Sequence, residues 1–200
     1  MSDAACALLL LADGGSTRMG RPKQLLPVGG QPLLRRLAEV ALGTPVSPVI
    51  VVLGAHAEMI RPCLQDLAVQ VVVNTGWPEG LGSSIRTGIE ALDRIAPASP
   101  AVILTLADQP DLSPTHLGRL LAAWQASGRG MAASEFRGVL MPPVCFGRKY
   151  FAALRQLPGD TGARSLLQAH AHDVTTVPMI RHADLDTPGD YAAYRAATGP

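Results

Sequence analysis

Glycine and basic residues follow an apolar run near the start of the chain. Ala4 to Leu11 is typical of a buried strand, and residues 12–23 then read ADGGSTRMGRPK. Glycines let the backbone bring its N–H groups against an anion, because no Cβ stands in the way. Arg18 and Lys23 would supply the countercharge, and lysine is rare in this chain, which has only Lys23 and Lys149. The stretch therefore predicts a loop that holds phosphate groups.

The spacing of this loop differs from both common phosphate-binding motifs. A Walker loop requires GxxxxGK[ST], whereas Gly15 and Gly20 are followed here by Arg21 and Pro22. The dinucleotide fingerprint GxGxxG is also absent from the sequence. A third kind of phosphate-binding loop is needed to explain these residues.

Two aspartates are candidates for holding a metal ion. Asp108 directly follows the apolar run AVILTLA of residues 101–107, at the predicted carboxyl end of a strand. Mg²⁺ commonly takes one or two carboxylates and completes its shell with phosphate oxygens and water. The alternative is that Asp108 opens the turn before Pro110. Asp186, in ADLDTPGDY, is the second candidate, and its alternative is a turn residue beside a helix cap.

Five segments resemble, in the same order, the MobA-like NTP transferase family, whose members transfer NMP from an NTP. They are LADGGSTRMGRPKQLLPVGGQPLL, WPEGLGSSI, ADQP, LPGDTGARSLL and ADLDTPGDY, which begin at residues 11, 77, 107, 157 and 183. Within the family the resemblance is strongest to molybdenum cofactor cytidylyltransferase. The branch that transfers GMP from GTP is the near competitor.

The resemblance implies a role for each segment. Arg18, Lys23 and Asp108 would be catalytic, and Asp108 and Asp186 would hold the metal. Asp160 and Arg164 would bind the acceptor, although Asp160 could instead cap a short helix and Arg164 could be solvated. Serine hydroxyls after residue 82 could contact the base or ribose, cap a helix, or do both. The implied nucleotide-binding residues are Leu11, Ala12, Gly14, Gly15, Ser16, Thr17, Arg18, Lys23, Asn74, Gly80, Gly82, Ser83 and Ser84.

Two positions depart from the family pattern. Asp13 stands where the family has a small residue, and a carboxylate beside a triphosphate should repel it. Repulsion is avoided if Asp13 faces away, is neutralised by Arg18 or Mg²⁺, or contacts the base. The second departure is LMPP at Leu140 to Pro143, where the family commonly has a glycine two residues before its proline. That change is expected to alter the acceptor pocket.

Strand-like runs alternate with segments of helical spacing, which favours a mostly parallel sheet with helices on both faces. With the resemblance, this predicts an α/β chain with a three-layer Rossmann-like nucleotidyltransferase fold in a single domain over residues 1–200. The two strands after Met131 should include one antiparallel strand. Ligands bind at the carboxyl ends of such sheets, so residues 13–23, 74–84 and 108–110 should share one rim. Predicted strands are 4–11, 48–54, 69–73, 101–107, 131–135, 139–146 and 174–177, and predicted helices include 31–42, 84–95, 114–127, 148–154, 162–169 and one after Thr187.

Composition excludes several functional classes. The formal net charge is +1 with both signs scattered along the chain, so the broad basic face of a duplex-binding protein is missing and no nucleic acid partner is expected. No Lys or Arg precedes the first apolar run, which is shorter than the roughly 18 residues of a membrane span. We therefore expect a cytoplasmic protein. Cys6, Cys63 and Cys145 are isolated, which favours buried reduced thiols.

The resulting hypothesis is a magnesium-dependent enzyme that transfers CMP from CTP to molybdenum cofactor and releases pyrophosphate. Its expected cofactor is Mg²⁺, and its expected partners are an NTP, a molybdopterin-type acceptor, and a molybdoenzyme or its chaperone. One alternative is a molybdenum cofactor carrier or insertion chaperone with little transferase activity, marked by Asp13. The other is a guanylyltransferase that uses GTP.

Overall fold

The computed structural model of the chain describes residues 5–159 and 161–199. Within these residues, strands alternate with helices for most of the length. Short 3-10 turns lie at Lys23–Leu25, Arg61–Leu64, Trp77–Glu79, Arg148–Tyr150 and Ala171–Asp173. The strands are β1 (Ala7–Ala12), β2 (Pro27–Val28), β3 (Gln31–Pro32), β4 (Val49–Leu53), β5 (Gln70–Val73), β6 (Ala101–Leu106), β7 (Met131–Phe136), β8 (Val139–Gly147) and β9 (Val174–Pro178). The helices are α1 (Leu33–Leu42), α2 (Ala57–Ile60), α3 (Leu81–Ile95), α4 (Pro114–Ser127), α5 (Phe151–Arg155), α6 (Arg164–Ala169) and α7 (Pro188–Thr198).

The described strands form a seven-stranded sheet and a separate two-stranded ribbon. The order in the large sheet is β5-β4-β1-β6-β8-β7-β9, and β2 pairs with β3. Strand β8 runs antiparallel to both β6 and β7, whereas the remaining pairs of the large sheet are parallel. A two-residue turn with positive φ at Arg137 (51°) and Gly138 (81°) joins β7 to β8, and such a hairpin makes its strands antiparallel. The predicted α/β fold with one antiparallel strand is confirmed.

The core lies on both faces of the sheet. Leu8 and Leu10 of β1 pack in one apolar cluster with α1, α4 and α7, whereas Leu9 and Leu11 pack in the other with α3, α5 and α6. Since β1, β4 and β6 are covered on both sides, nearly every residue in them is buried and apolar. This explains why continuous apolar runs marked these strands in the sequence. No helix in the described part of the chain is long and apolar enough to span a bilayer.

Local sequence signals correctly predicted where two of the helices begin. The Ser113 side chain accepts a hydrogen bond from His116 N (3.2 Å) and Pro114 follows it, as predicted for α4. Thr187 and Asp190 form the reciprocal capping box of α7. Helix α3 differs, because it begins at Leu81 after Gly80 rather than near Ser84. The interpretation of Ser83 or Ser84 as a cap is therefore wrong, since both lie within the first turn.

Candidate functional site

The loops after β1, β4 and β6 meet at one edge of the sheet. Ala107 N donates to Leu11 O (2.9 Å), and Ala55 N donates to Asp13 O (3.0 Å). These backbone bonds continue the parallel pairing for one residue past the strand ends. They place the glycine-rich loop beside Asp108, on the rim where the sequence predicted the ligand.

A fully buried glutamine holds the glycine-rich loop in shape. Gln24 Nε2 donates to Ala12 O and to Gly14 O, each at 3.0 Å. Lys23 N donates to Ser16 Oγ (3.0 Å), and Ser16 takes a positive φ of 52°. Sequence reasoning assigned Gln24 to an ordinary loop. The sequence signal was that this polar residue stands directly before two leucines. If it is buried with them, its side chain must find hydrogen-bond partners.

The loop presents backbone donors to solvent. Ser16 O accepts from Met19 N (3.0 Å) and Gly20 N (3.1 Å), which closes a tight turn. Within the described residues, the N–H groups from Gly14 to Arg18 have no protein acceptor. Most of this segment is exposed or half-buried. An anion bound here would satisfy these donors, as the sequence predicted.

Three segments distant in sequence contribute to an ionic cluster. Lys23 Nζ lies 2.7 Å from Asp108 Oδ2 and 3.1 Å from Asp186 Oδ1. Arg18 Nη2 lies 2.8 Å from Asp186 Oδ2. Leu185 is fully buried, and its N–H donates to Asp108 O (3.0 Å), which fixes the C-terminal segment against the end of β6. The proposed catalytic cations and metal ligands are thus in direct contact.

Lys23 and Arg18 differ in their surroundings. The Lys23 side chain is 16% exposed, and that of Arg18 is 69% exposed. Burial by itself disfavours the ammonium form, but the charges of Asp108 and Asp186 and their hydrogen bonds outweigh it and raise the pKa of Lys23. Lys23 is therefore a largely buried positive charge near neutral pH, whereas Arg18 is an exposed one.

The two carboxylates fit a divalent cation. Asp108 Oδ1 is buried and lacks a hydrogen-bond partner within residues 5–159 and 161–199. Asp186 reaches the same ammonium group as Asp108, so both carboxylates can serve one cation. Such a pair of hard oxygen ligands suits Mg²⁺ or Mn²⁺. No group of three or more His, Cys, Asp or Glu side chains able to hold a metal occurs in the described part of the chain.

The side chains expected to contact the nucleoside form hydrogen bonds with one another instead. Asn74 Nδ2 donates to Ser83 Oγ (2.7 Å) and Ser84 Oγ (2.8 Å), and Asn74 Oδ1 accepts from Gly76 N (2.9 Å). Ser83 Oγ contacts Gly80 O (2.8 Å) and lies 3.0 Å from Gly76 O. Asn74, Ser83 and Ser84 are all buried. Their direct contact with a nucleotide remains a prediction, and in this structure they shape the loop before α3.

Gly80 and Gly82 have different structural roles. Gly80 combines φ 106° with ψ −176°, a backbone region that side chains rarely allow, and it borders the cavity beside the glycine-rich loop. A Cβ at Gly82 would lie 2.0 Å from Pro158 O. Gly82 N also donates to Gly159 O (2.7 Å). Gly82 therefore permits close approach of the segment before α6, and its contact with a ligand stays a prediction.

A cavity of about 350 Å³ lies between the glycine-rich loop and the start of α3. Its wall combines backbone of the loop with the indole of Trp77 and with both members of the Lys23–Asp108 pair. Volume and lining suit a nucleotide rather than a larger ligand. The lining residues are Leu11, Ala12, Asp13, Gly14, Gly15, Lys23, Gln24, Trp77, Gly80, Leu81, Leu106, Ala107 and Asp108.

Asp13 is buried in the wall of this cavity, with 8% of the residue exposed. Burial raises its pKa, while a hydrogen bond from the Ser84 side chain and the charge of Lys23 work in the opposite direction. Of the explanations offered by the sequence, neutralisation by Arg18 is not what the structure shows, because Arg18 pairs with Asp186.

A second cavity, of about 360 Å³, lies on the other side of Asp108. It is largely apolar, and most of its wall comes from β6, β8 and the two helices α3 and α6. Leu140 to Pro142 of the LMPP segment lie in this wall. Arg164, Asp108 and Asp186 also border it, whereas Asp160 lies outside the described residues. The apolar lining residues are Leu11, Leu81, Ile85, Leu104, Leu106, Val139, Leu140, Met141, Pro142, Val144, Phe146, Ala163 and Leu167.

Polar side chains at the mouth of the second cavity were not found from the sequence. His182 Nε2 lies 3.1 Å from Asp184 Oδ2, and both residues border the cavity. Burial raises the pKa of Asp184, and the charge of Asp108 adds to this effect. They belong to a segment without regular secondary structure. Asp184 lies within ADLDTPGDY, but the resemblance assigned no role to its side chain.

Comparison with known proteins agrees with this arrangement. The model of the MobA-like NTP transferase domain matches residues 8–174. The chain is 34% identical over 175 residues to nicotine blue oxidoreductase of Paenarthrobacter nicotinovorans, with 84% of each protein covered. It is 30% identical over 202 residues to purine catabolism protein PucB of Bacillus subtilis strain 168, with 94% of this chain and 95% of PucB covered.

Solved structures share the fold along nearly the whole chain. Rv0371c from Mycobacterium tuberculosis superimposes with a TM-score of 0.83 at 29% identity, covering 96% of this chain and 98% of Rv0371c. A structure of Rv0371c in complex with manganese superimposes with a TM-score of 0.79 at 28% identity, covering 95% and 97%. A divalent metal is thus bound by a protein of the same fold and similar sequence.

Proposed function

The chain belongs to the MobA-like NTP transferase family of NTP-dependent nucleotidyltransferases, and from this premise we propose that it transfers CMP from CTP to molybdenum cofactor. It would act as one nucleotidyltransferase domain and release pyrophosphate. The cytidylyl and molybdopterin assignments come from the five sequence segments that resemble that branch of the family. The names of the two relatives do not identify the acceptor.

The glycine-rich loop would hold the β- and γ-phosphates. Its N–H groups from Gly14 to Arg18 lack protein acceptors in the described structure. Lys23 and Arg18 stand beside them and carry the positive charge that a triphosphate requires. In this structure both cations neutralise Asp108 and Asp186. Bound phosphates would compete for these cations, so nucleotide and metal should bind together.

Asp108 and Asp186 would hold the metal ion, which we take to be Mg²⁺. Its charge would offset that of the phosphate oxygens and make the α-phosphorus a better electrophile. Asp108 Oδ1 is buried without a hydrogen-bond partner in the described residues, and it would gain one in this ion. With a metal as counterion of the two carboxylates, Lys23 would be free to face phosphate.

The second cavity would hold the acceptor. Arg164 borders it, and its planar guanidinium suits the terminal phosphate of molybdopterin. A phosphate oxygen of the acceptor would attack the α-phosphorus of CTP, and the bond to the pyrophosphate oxygen would break. No general base is required, because the attacking phosphate is already ionised. Lys23 would stabilise the charge that develops on the leaving group, an effect typically worth about 10² to 10³ in rate.

The observation that carries this proposal is the position of the ionic cluster between two cavities. Asp108 borders both cavities, Lys23 borders the first and Asp186 borders the second. Transfer between two bound substrates requires such a shared boundary, because the reacting atoms must approach to about 3–3.5 Å. A protein that only bound nucleotide would have no use for the second cavity beside the same carboxylate.

Release of pyrophosphate tests the proposal directly. Purified protein with Mg²⁺, CTP and molybdenum cofactor should release one pyrophosphate for each cytidylylated product, and Asp108→Asn should not. Binding of cofactor without pyrophosphate from CTP or GTP would identify a carrier or insertion chaperone instead. Release from GTP but not from CTP would identify the guanylyl branch and keep the cavity assignments.

A further inference from the structure

Arg86 of helix α3 joins two chain segments that belong to different cavities. Its Nη2 lies 2.7 Å from Glu79 Oε2, and its Nη1 donates to Leu157 O (2.8 Å). Trp77, in the same turn as Glu79, borders the first cavity. Arg164, which follows the segment that contains Leu157, borders the second. Arg86 itself lies in the wall of neither cavity, so its guanidinium connects the two walls without forming part of them.

Close backbone packing forms part of the same junction. Gly82 N donates to Gly159 O (2.7 Å). A Cβ at Gly159 would lie 2.2 Å from Glu79 O, and a Cβ at Gly82 would lie 2.0 Å from Pro158 O. Glycine is required at both positions, because a side chain at either would push the two backbones apart. The segment before α6 is therefore seated directly on the start of α3.

The two joined segments differ in how they are supported. The turn before α3 is closed by its own backbone, since Glu79 N donates to Gly76 O (3.0 Å). The segment before α6 has no helix or strand in residues 157–159 and 161–163. The guanidinium of Arg86 and one backbone N–H of α3 hold it in place. Loss of that guanidinium should therefore displace the acceptor side and leave the nucleotide side as it is.

We propose that Arg86 is a positioning residue that sets where the acceptor lies relative to the nucleotide. This inference rests on the proposed function, because it requires the two cavities to hold the two substrates. Helix α6 begins at Arg164, so the place of this guanidinium depends on how the preceding segment sits on α3. A displacement of about 1 Å can cost about 10² in rate, even when its cause lies far from the reacting atoms.

Arginine has the geometry that this junction needs. Its planar guanidinium carries several N–H donors at fixed angles, so one side chain can serve a carboxylate and a backbone carbonyl at the same time. Lysine carries one compact ammonium group on a flexible stem. Arg86→Lys keeps the positive charge beside Glu79 but loses the fork that also reaches Leu157 O. The lysine variant therefore separates the charge of Arg86 from its bridging role.

The test measures transfer with Mg²⁺, molybdenum cofactor and whichever of CTP and GTP the unmodified protein uses. Arg86→Ala should lower kcat/KM for the cofactor by up to about 10². The dissociation constant of the nucleotide, measured calorimetrically, should keep its value. Arg86→Lys should restore only part of the lost kcat/KM. Arg94→Ala removes an exposed arginine from the last turn of the same helix, and this matched control should change neither quantity.

A double-mutant cycle separates positioning from a general loss of stability. If Arg86 acts by placing Arg164, Arg86→Ala should cost little further activity in an Arg164→Ala background, because the group that it positions is already gone. A purely structural role would lower the folded fraction, and its loss would then multiply with that of Arg164→Ala. Circular dichroism and urea unfolding establish that each variant is folded. Arg86→Lys carries the same cycle if Arg86→Ala is not folded.

Three results would overturn the inference. An unchanged kcat/KM in folded Arg86→Ala would mean that Arg86 does not position the acceptor, while transfer itself would stand. A loss that multiplies fully in the double variant, or an equal weakening of nucleotide binding, would assign Arg86 to general stability. If the unmodified protein releases no pyrophosphate from CTP or GTP, the proposed function fails and the inference fails with it.

Discussion

The two cavities that meet at Asp108 are built in opposite ways. The first is lined by a glycine-rich loop with free N–H groups and by charged side chains that neutralise one another. The second is walled mainly by apolar side chains of β6 and β8, with charge confined to its border. Their volumes are nearly equal, at about 350 and 360 Å³. Chemistry rather than size therefore distinguishes them.

This difference indicates that the two cavities recognise different kinds of substrate. A polyanion of standard shape can be held by backbone N–H groups and two cations, so one short segment suffices for the first cavity. A specific acceptor body is recognised by shape and apolar contact, and those walls come from several distant elements. We infer that changes in the second cavity alter the acceptor and leave the nucleotide site intact. Four substitutions test this separation, from the largest expected effect to the smallest.

Asp108→Asn should have the largest effect, because this residue borders both cavities and supplies the proposed metal ligand. We expect the rate of pyrophosphate release to fall by about 10³. Asp93→Asn, which removes a carboxylate from a remote pair with Arg155, is the control and should keep full activity. A stopped assay for pyrophosphate measures both. Retention of more than about a tenth of the rate in Asp108→Asn would remove the metal role from this residue.

Lys23→Met should affect the nucleotide side alone. It removes the cation that is held at 2.7 Å from Asp108 while keeping the length of the side chain. We expect a loss of about 10² in rate and a weaker response of the melting temperature to CTP with Mg²⁺. The unmodified protein should gain about 2.7 kcal/mol of unfolding free energy at a CTP concentration 100 times the dissociation constant. An unchanged CTP response in Lys23→Met would contradict the assignment of the first cavity.

Arg164→Ala should affect the acceptor side alone. Loss of one charged hydrogen bond to the acceptor phosphate should raise the acceptor KM by about tenfold or more. The dissociation constant of CTP should stay the same, since Arg164 borders the second cavity but not the first. Arg155→Ala, on the neighbouring helix α5, serves as the control. A parallel change in CTP affinity would show that the two cavities are not independent.

Arg18→Ala should have the smallest effect on stability and a modest effect on rate. The side chain is 69% exposed, and an ion pair at such a position is worth about 0–1 kcal/mol. Lys23 remains as the second cation, so the rate should fall less than in Lys23→Met. Urea unfolding and the pyrophosphate assay measure the two quantities. A larger loss of rate than in Lys23→Met would show that Arg18, rather than Lys23, makes the larger contribution to stabilising the leaving group.

Much of the fold was predictable because its signals are local. Apolar runs marked the strands that are covered on both faces, and Ser113 and Thr187 marked the starts of α4 and α7. The start of α3 was predicted several residues late. Gly80 ends the preceding turn through an unusual backbone conformation, and the serines after it are used by Asn74 rather than as caps.

The candidate site was predictable where a motif concentrates its residues in one segment. The loop from Gly14 to Lys23 and the aspartate after β6 were identified in this way. Gln24, His182 and Asp184 were given no role, because Gln24 acts through the backbone of another segment, and His182 and Asp184 come to border the second cavity only when the chain folds.

The sequence by itself determined the family, the sheet and the glycine-rich loop with its basic residues, since each depends on residues close together along the chain. Tertiary structure decided that Lys23 lies between Asp108 and Asp186, and that Asn74 bonds the two serines at the start of α3. It also decided that an apolar cavity opens beside the same carboxylate. The physical reason is that charge pairing, hydrogen-bond direction and cavity shape depend on distances between elements, and those distances are set only when the helices pack on the sheet.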